Sequence, residues 1–218
     1  MEINKGALTA KAAVSDEDLL LINRQTLREM TAEDVYVFKV RACDTRVDRD
    51  LERFTEAALV TLAKLFVGKT VIYDHKWSAG GQTARIFATA VEEDNDCHVL
   101  MAKCYMLRND STKDTIADIE GGILREVSVG CAISRAVCSI CGKEYGTCGH
   151  QKGEIYDGNV CVCELHDPVD AYEMSFVAVP AQPLAGVTKG VKNKSWSSAE
   201  HLAAKAQLEI EQEKWRYL

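Results

Sequence analysis

The stretch "QTARIFATAVEEDNDCHVLMAKCYML", Gln82–Leu107, decides the fold in outline. Two apolar runs rich in β-branched and aromatic residues flank the acidic stretch Glu93–Asp96, the pattern of two strands joined in a hairpin. Working outward, "KTVIYDH" before it is a strand that delivers His75 at its end, and "DVYVFKVRAC" is another. Between them, after the polar turn "DTRVDRD", Thr55 is placed to cap the helix "EAALVTLAKLF", with Gly68 at its stop. "SDEDLLLINRQTLREM" (15–30) opens on the cap types Ser15 and Asp16 and predicts a short helix. Downstream, "STKDTIADIEGG" is a helix starting at Ser111 or Thr112 and stopping at Gly121 and Gly122. "LREVSVGCAISRAV", "NVCVCEL" and "AYEMSFVAVP" are strands. About seven strands with a few flanking helices predict an α+β fold, mainly antiparallel β-sheet or barrel.

The chain divides into an N-terminal extension with its helix (1–34), a main domain (35–189) with an insertion at 136–160, and a linker and C-terminal helix (190–218). The Gly, Lys and Ser-rich "LAGVTKGVKNKSWSS" marks the linker. The tail "SSAEHLAAKAQLEIEQEKWRYL" carries Ala199, Leu202, Ala203, Ala206 and Ile210 on one helical stripe, which suits either docking on the core or binding a partner.

With 218 residues, 47% of them hydrophobic and 27% charged, the chain can bury one full core. A net charge of −7 and no basic stripe argue against nucleic acid. The start "MEINKGALTA" lacks the features of a signal peptide, and no apolar run has membrane-spanning length. The nine cysteines do not suit a disulfide framework. Cys43, Cys97, Cys104 and Cys131 sit apart in apolar surroundings as buried thiols, which implies a reducing cytosol.

"CSICGKEYGTCGH", Cys138 to His150, is C-x2-C-x6-C-x-H. Cys138, Cys141, Cys148 and His150 fill the four positions of a structural Zn2+ tetrahedron, whereas a catalytic zinc keeps one open for water. The segment interrupts a long connection between strands, which needs internal fastening. Cys161 and Cys163 could substitute as ligands, although in "NVCVCEL" they share one face of a strand, where packing explains them. The H-x-E and P-C-x-x-C motifs of a zinc deaminase are absent.

A nucleophile is therefore sought elsewhere. Alternation along "LREVSVGCAIS" puts Val127, Val129, Cys131 and Ile133 on one face, and Glu126, Ser128, Gly130 and Ala132 on the other. Ser128 thus stands among small side chains. With His201 in the tail and His150 among the metal ligands, His75, His98 and His166 remain as bases for a serine, and His98 sits beside an exposed acidic turn. Glu173 and Ser175 share a face with Val177 and Val179, and a carboxylate on so apolar a face needs a partner. That partner is His75, or else Arg85 or Arg125 at a sheet edge.

Together "DTRVDRDLERF", "YDHKW…QTARI", "EVSVG" and "YEMSFVAVPAQP" resemble the prohead proteases of tailed bacteriophages, serine peptidases of capsid maturation related in fold to the herpesvirus assembly proteases. The resemblance runs from about Val35 to Lys189. It implies Ser128 as nucleophile in an S-x-G strand, His75 as base and Glu173 as third member, with His166 and Asp170 as weaker claimants. It also implies cleavage of scaffold and of the N-terminal region of the major capsid protein in the procapsid in the host cytoplasm, with self-cleavage. A homo-oligomer is a further expectation, and an inactive procapsid component of the same fold, a zinc-dependent hydrolase and a Cys131 nucleophile stand as alternatives. The herpesvirus relatives carry an arginine in the loop after the third residue, and "AQPLAGVTKG" has none.

Overall fold

The computed structural model describes residues 14–188, together with 205, 206, 209 and 210. The expected tail helix thus lies almost wholly outside the described residues, although those four are helical and Glu209 reaches Arg24 at 2.9 Å.

The N-terminal helix α1 spans Asp16–Asn23, where Ser15 Oγ accepts from the Asp18 N–H. It stops well before the expected end at Met30. Leu21 and Ile22 pack with Phe87 and Tyr105 on one side of the sheet. Strand β1 (Val35–Asp44) is followed by β2 (Glu52–Phe54) and α2 (Glu56–Phe66), capped by Thr55 as expected. Ala58, Leu59, Leu62 and Phe66 of α2 are buried in the main core with Phe38, Leu100, Met174 and Phe176. Burial of each large side chain there contributes roughly 1.5–3 kcal/mol.

The hairpin read from Gln82–Leu107 forms: β4 (Ala84–Asp94) and β5 (Cys97–Leu107) pair antiparallel around Asn95, whose φ is +53°. Strand β3 (Thr70–Tyr73) precedes it, and α3 (Lys113–Gly121) follows, ending on Gly122 at φ +75°. Then come β6 (Val127–Cys138), the short pair β7 (Ile155–Tyr156) and β8 (Asn159–Val160), β9 (Cys163–Phe176) and β10 (Gly186–Val187).

Eight strands form one sheet in the order β10-β1-β5-β4-β3-β9-β2, with β6 on the other side of β9. Most strand pairs in this sheet are antiparallel as expected, and three details are corrected here. The sheet is mixed, because β2 and β3 both run parallel to β9. It is also open, since only the single bridge Glu126 to Gly186 joins β10 to the chain entering β6. Moreover, "NVCVCEL" and "AYEMSFVAVP" do not give two separate strands: Asn159–Val160 is β8, and from Cys163 the chain is one strand, β9, which runs straight through Pro168. Proline removes a ladder donor and so reads as a break. The β6–β9 ladder accommodates it with register shifts at Gly130/Cys131 and Ala132/Ile133, where the extra residues are Tyr172 and Val169 of β9, the second next to Pro168. Among the described residues no helix is long and apolar enough to cross a membrane.

Candidate active site and metal cluster

Strand β9 is the spine of the site. Its Glu173 pairs in register with Thr70 of β3 and with Gly130 of β6, and its Ser175 with Ile72 and Ser128. Cross-strand partners share a face, so Ser128, Gly130, Glu173 and Ser175 lie together. Val127, Val129, Met174 and Phe176 point the other way, into the main core.

After β3 the chain turns through Asp74 and His75, both in the left-handed region at φ +51° and +54°. Two consecutive non-glycine residues there cost about 1–3 kcal/mol each, and such strain persists only where surroundings hold it. The holding contacts are visible. The Asp74 N–H donates to Phe176 O at 3.0 Å, and the His75 N–H donates to Ser175 Oγ at 3.0 Å.

This turn presents the His75 ring to Glu173, with Nδ1 to Oε1 at 2.7 Å. Glu173 is only 2% exposed, and its other oxygen, Oε2, accepts from the Ser175 hydroxyl at 2.6 Å. An ionised carboxylate accepts only, so Nδ1 carries the proton and Nε2 is the ring nitrogen left to act as a base. The hydrogen-bond partner of Glu173 is therefore His75, and neither Arg85 nor Arg125.

His75 and Ser128 line one cleft of about 520 Å³ with Val129, Gly130 and Cys131. No hydrogen bond joins Ser128 to the His75 ring; what links them is the shared cleft and Ser175, which faces Ser128 across the ladder and binds the His75 backbone. The cleft has an acidic wall of Asp48, Asp50 and Glu52. Burial pushes the Asp48 carboxyl up, against the backbone N–H groups of Glu52 and Asp50 that favour its ionised form.

In comparisons with known proteins, no family model matches the chain, and no curated protein or solved structure matches it. The site's chemistry therefore rests on its own residues.

The weaker claimants fall elsewhere. His166 pairs with Arg135, nine residues before Ser175 on β9, and its Nε2 lies 3.7 Å from Glu164. Asp170 is an exposed partner of Lys69 at 3.3 Å. His98 meets Glu56 and Glu93 at 3.5 and 3.9 Å. Cys131 reaches the cleft, but burial, and then the charge of Glu173, push its thiol up to about 11, the opposite of an activated nucleophile.

Two contributors were not assigned roles from sequence. Ser175 was placed on the right face, and the E-x-S spacing was its signal. Gly130 looked merely small, yet a Cβ there would fall 2.3 Å from Glu173 Oε1. In the loop after Glu173, where no arginine stands, Arg49 takes hold from outside. Its guanidinium donates to Pro180 O and its N–H to Ala181 O.

At the far end of β6 the cysteine-rich connection brings together the four residues that the spacing singles out. One donor atom each from Cys138, Cys141, Cys148 and His150 lies within 4.8 Å of the others, a group that could hold a metal ion. Cys138 Sγ and His150 Nδ1 are 3.6 Å apart, near the edge of a tetrahedron with metal–sulfur and metal–nitrogen bonds of about 2.3 and 2.0 Å. Although burial opposes it, backbone N–H groups of Cys141 and Ile140 help lower the Cys138 thiol to about 6, toward the thiolate a metal needs. The connection also braces the cleft wall, because Lys152 Nζ pairs with Glu52 at 2.8 Å.

Proposed function

We propose that the chain is a serine endopeptidase of the prohead-protease kind, with Ser128 as nucleophile, His75 as base and Glu173 as the carboxylate that orients it. The observation that carries this reading is the 2.7 Å contact between His75 Nδ1 and the buried Glu173, set beside a serine in the same cleft. Buried carboxylate, imidazole and hydroxyl in that order are the parts of an acyl-transfer site. His75 Nε2 takes the Ser128 proton as Oγ attacks the peptide carbonyl, and the same proton then goes to the leaving amine. Water, activated by the same nitrogen, releases the acyl group from Ser128. The imidazolium formed in each half is stabilised by Glu173, whose low exposure strengthens the attraction. Catalytic hydrogen bonds are commonly long before substrate binds, which accommodates a Ser128 that joins the ring only then.

In this reading the fold is herpesvirus-protease-like, and the substrates are scaffold and the N-terminal segment of the major capsid protein, cut within the procapsid in the host cytoplasm. The cysteine-rich connection is a structural zinc clip. Cys138 lies ten residues from Ser128 along β6, a span of up to about 33 Å, so its metal fastens the strand rather than acting on Ser128.

Co-expression with scaffold and capsid protein tests the activity. Wild type is expected to process them and Ser128→Ala to lose at least about 10³-fold in rate. Unchanged processing by the folded Ser128→Ala protein overturns the assignment.

A further inference from the structure

We propose that Cys161 is a ligand of the metal in the cysteine-rich connection, completing a sphere of four thiolates with Cys138, Cys141 and Cys148 and leaving His150 outside it. The inference rests on reading this connection as a zinc clip.

The decisive length is between sulfurs. Metal–sulfur bonds of about 2.3 Å in a tetrahedron set the sulfur–sulfur edge near 3.8 Å. Cys138 Sγ and Cys161 Sγ are 3.8 Å apart, and both residues are 0% exposed. Cys161 thus adds a second buried sulfur beside Cys138, whose Sγ lies within 4.8 Å of donor atoms of Cys141 and Cys148. A thiol is a weak donor and a weak acceptor, so the two buried ones, Cys138 and Cys161, gain little from each other. Bound to one soft cation as thiolates, they gain a great deal.

The backbone holds the two buried cysteines in place before any metal arrives. The Cys161 N–H donates to Glu154 O at 2.8 Å, and its carbonyl accepts from Gly153 at 2.9 Å. Cys138 donates to Lys143 O and accepts from Gly142, both at 2.9 Å. Ligands fixed in this way lose little freedom on binding. Cys161 is not part of β9, which begins at Cys163, so its side chain is free of the strand alternation that would pair it with Cys163.

His150 is positioned by different contacts. Its ring meets Tyr156 edge-on at 4.4 Å between centroids, and the Tyr156 hydroxyl accepts from the Gln151 N–H. At 3.6 Å its Nδ1–H can donate to the Cys138 sulfur, which suits a group that steadies a metal-bound thiolate from outside.

Cobalt(II) loading of the full-length protein separates the two ligand sets, because thiolate-to-cobalt charge-transfer absorption grows with the number of bound thiolates. Wild type and His150→Ala are expected to bind one cobalt each with equal charge-transfer intensity, and affinities within about tenfold, as for loss of an outer-shell partner. Cys161→Ala should lose about a quarter of that intensity and bind at least about 100-fold more weakly, a larger loss than an outer-shell partner gives. Cys161→Ser, nearly the same shape, is a second arm should the alanine variant unfold. Full intensity and affinity in either Cys161 variant, with both reduced in His150→Ala, overturn the proposal. Wild type that binds no cobalt sinks the zinc-clip reading and this inference together.

Discussion

Gly130 lies directly across the β6–β9 ladder from Glu173, and a Cβ on residue 130 would fall 2.3 Å from Glu173 Oε1, the oxygen that holds His75. No real contact is that short, so any side chain here must move the carboxylate. Gly130→Ala is therefore expected to act on geometry. A displacement of about 1 Å in such a site costs about 10²-fold in rate. Kinetics on a peptide substrate should show the loss in kcat, with KM little changed. Wild-type kcat in the folded variant would mean that Glu173 does not orient the base.

Ser175 offers a second lever on the same pair. Its hydroxyl donates to Glu173 and accepts from the strained His75 backbone, so Ser175→Ala removes both supports at once. Losing a buried hydrogen bond to a charged group costs about 1.5–3 kcal/mol, which should appear as a lower Tm. A purely structural residue would stop there. If Ser175 positions the base, labelling of Ser128 by a fluorophosphonate probe should also slow by about 10- to 100-fold at temperatures where the variant is fully folded. The low-field proton resonance of His75 Nδ1–H should move as well, and an unmoved resonance with normal labelling would leave Ser175 a mere packing residue.

Much of this was legible in the sequence because its signals are local. The hairpin of β4 and β5 follows from alternating apolar runs around an acidic turn, and Thr55 capped α2 as its type predicts. That Glu173 needs a partner followed from physical need, since a carboxylate on an apolar face must find one, but the pattern left His75, Arg85 and Arg125 open. What escaped notice depends on distant chain segments. Pro168 hid the continuity of β9, which rests on register shifts along its pairing with β6. The left-handed turn at Asp74 and His75 has no glycine to announce it and is held by β9 residues a hundred positions away. Cys161 sat in a strand-like pattern, although the strand begins two residues later.

The Cys131 thiol gives a pH dependence whose sign can be worked out. Its ordinary value is 9.0, and burial together with the Glu173 charge pushes it up to about 11 in the folded protein. Between those values the unfolded chain has lost the proton and the folded one keeps it. Stability must then fall as pH rises from about 9 to about 11, by up to roughly 2–3 kcal/mol from this group. Urea unfolding from pH 8 to 10.5 should show a steeper decline for wild type than for Cys131→Ala, and parallel curves would contradict the assignment. At pH 7.5 alkylation of Cys131 should run about 100-fold slower than that of an ordinary thiol, which disfavours it as the nucleophile.

Metal removal separates fastening from chemistry. Cys138 pairs in register with Cys163, so the cluster closes the end of the β6–β9 ladder remote from Ser128 and Ser175. Through Lys152 and Glu52 it also touches the outer rim of the cleft. A chelator should release one zinc and raise amide exchange about 10- to 100-fold at the Cys138 and Cys163 end, where the ladder loses its closure. Exchange in Val127–Gly130 and in Thr70–Tyr73 should hardly change, because core side chains rather than the clip secure them. Fluorophosphonate labelling of Ser128 is then expected to fall by no more than about twofold at first and to decline further only as the protein unfolds. Immediate and reversible loss of labelling with exchange unaltered would place the metal in the reaction itself, and the division of labour along β6 would have to be abandoned.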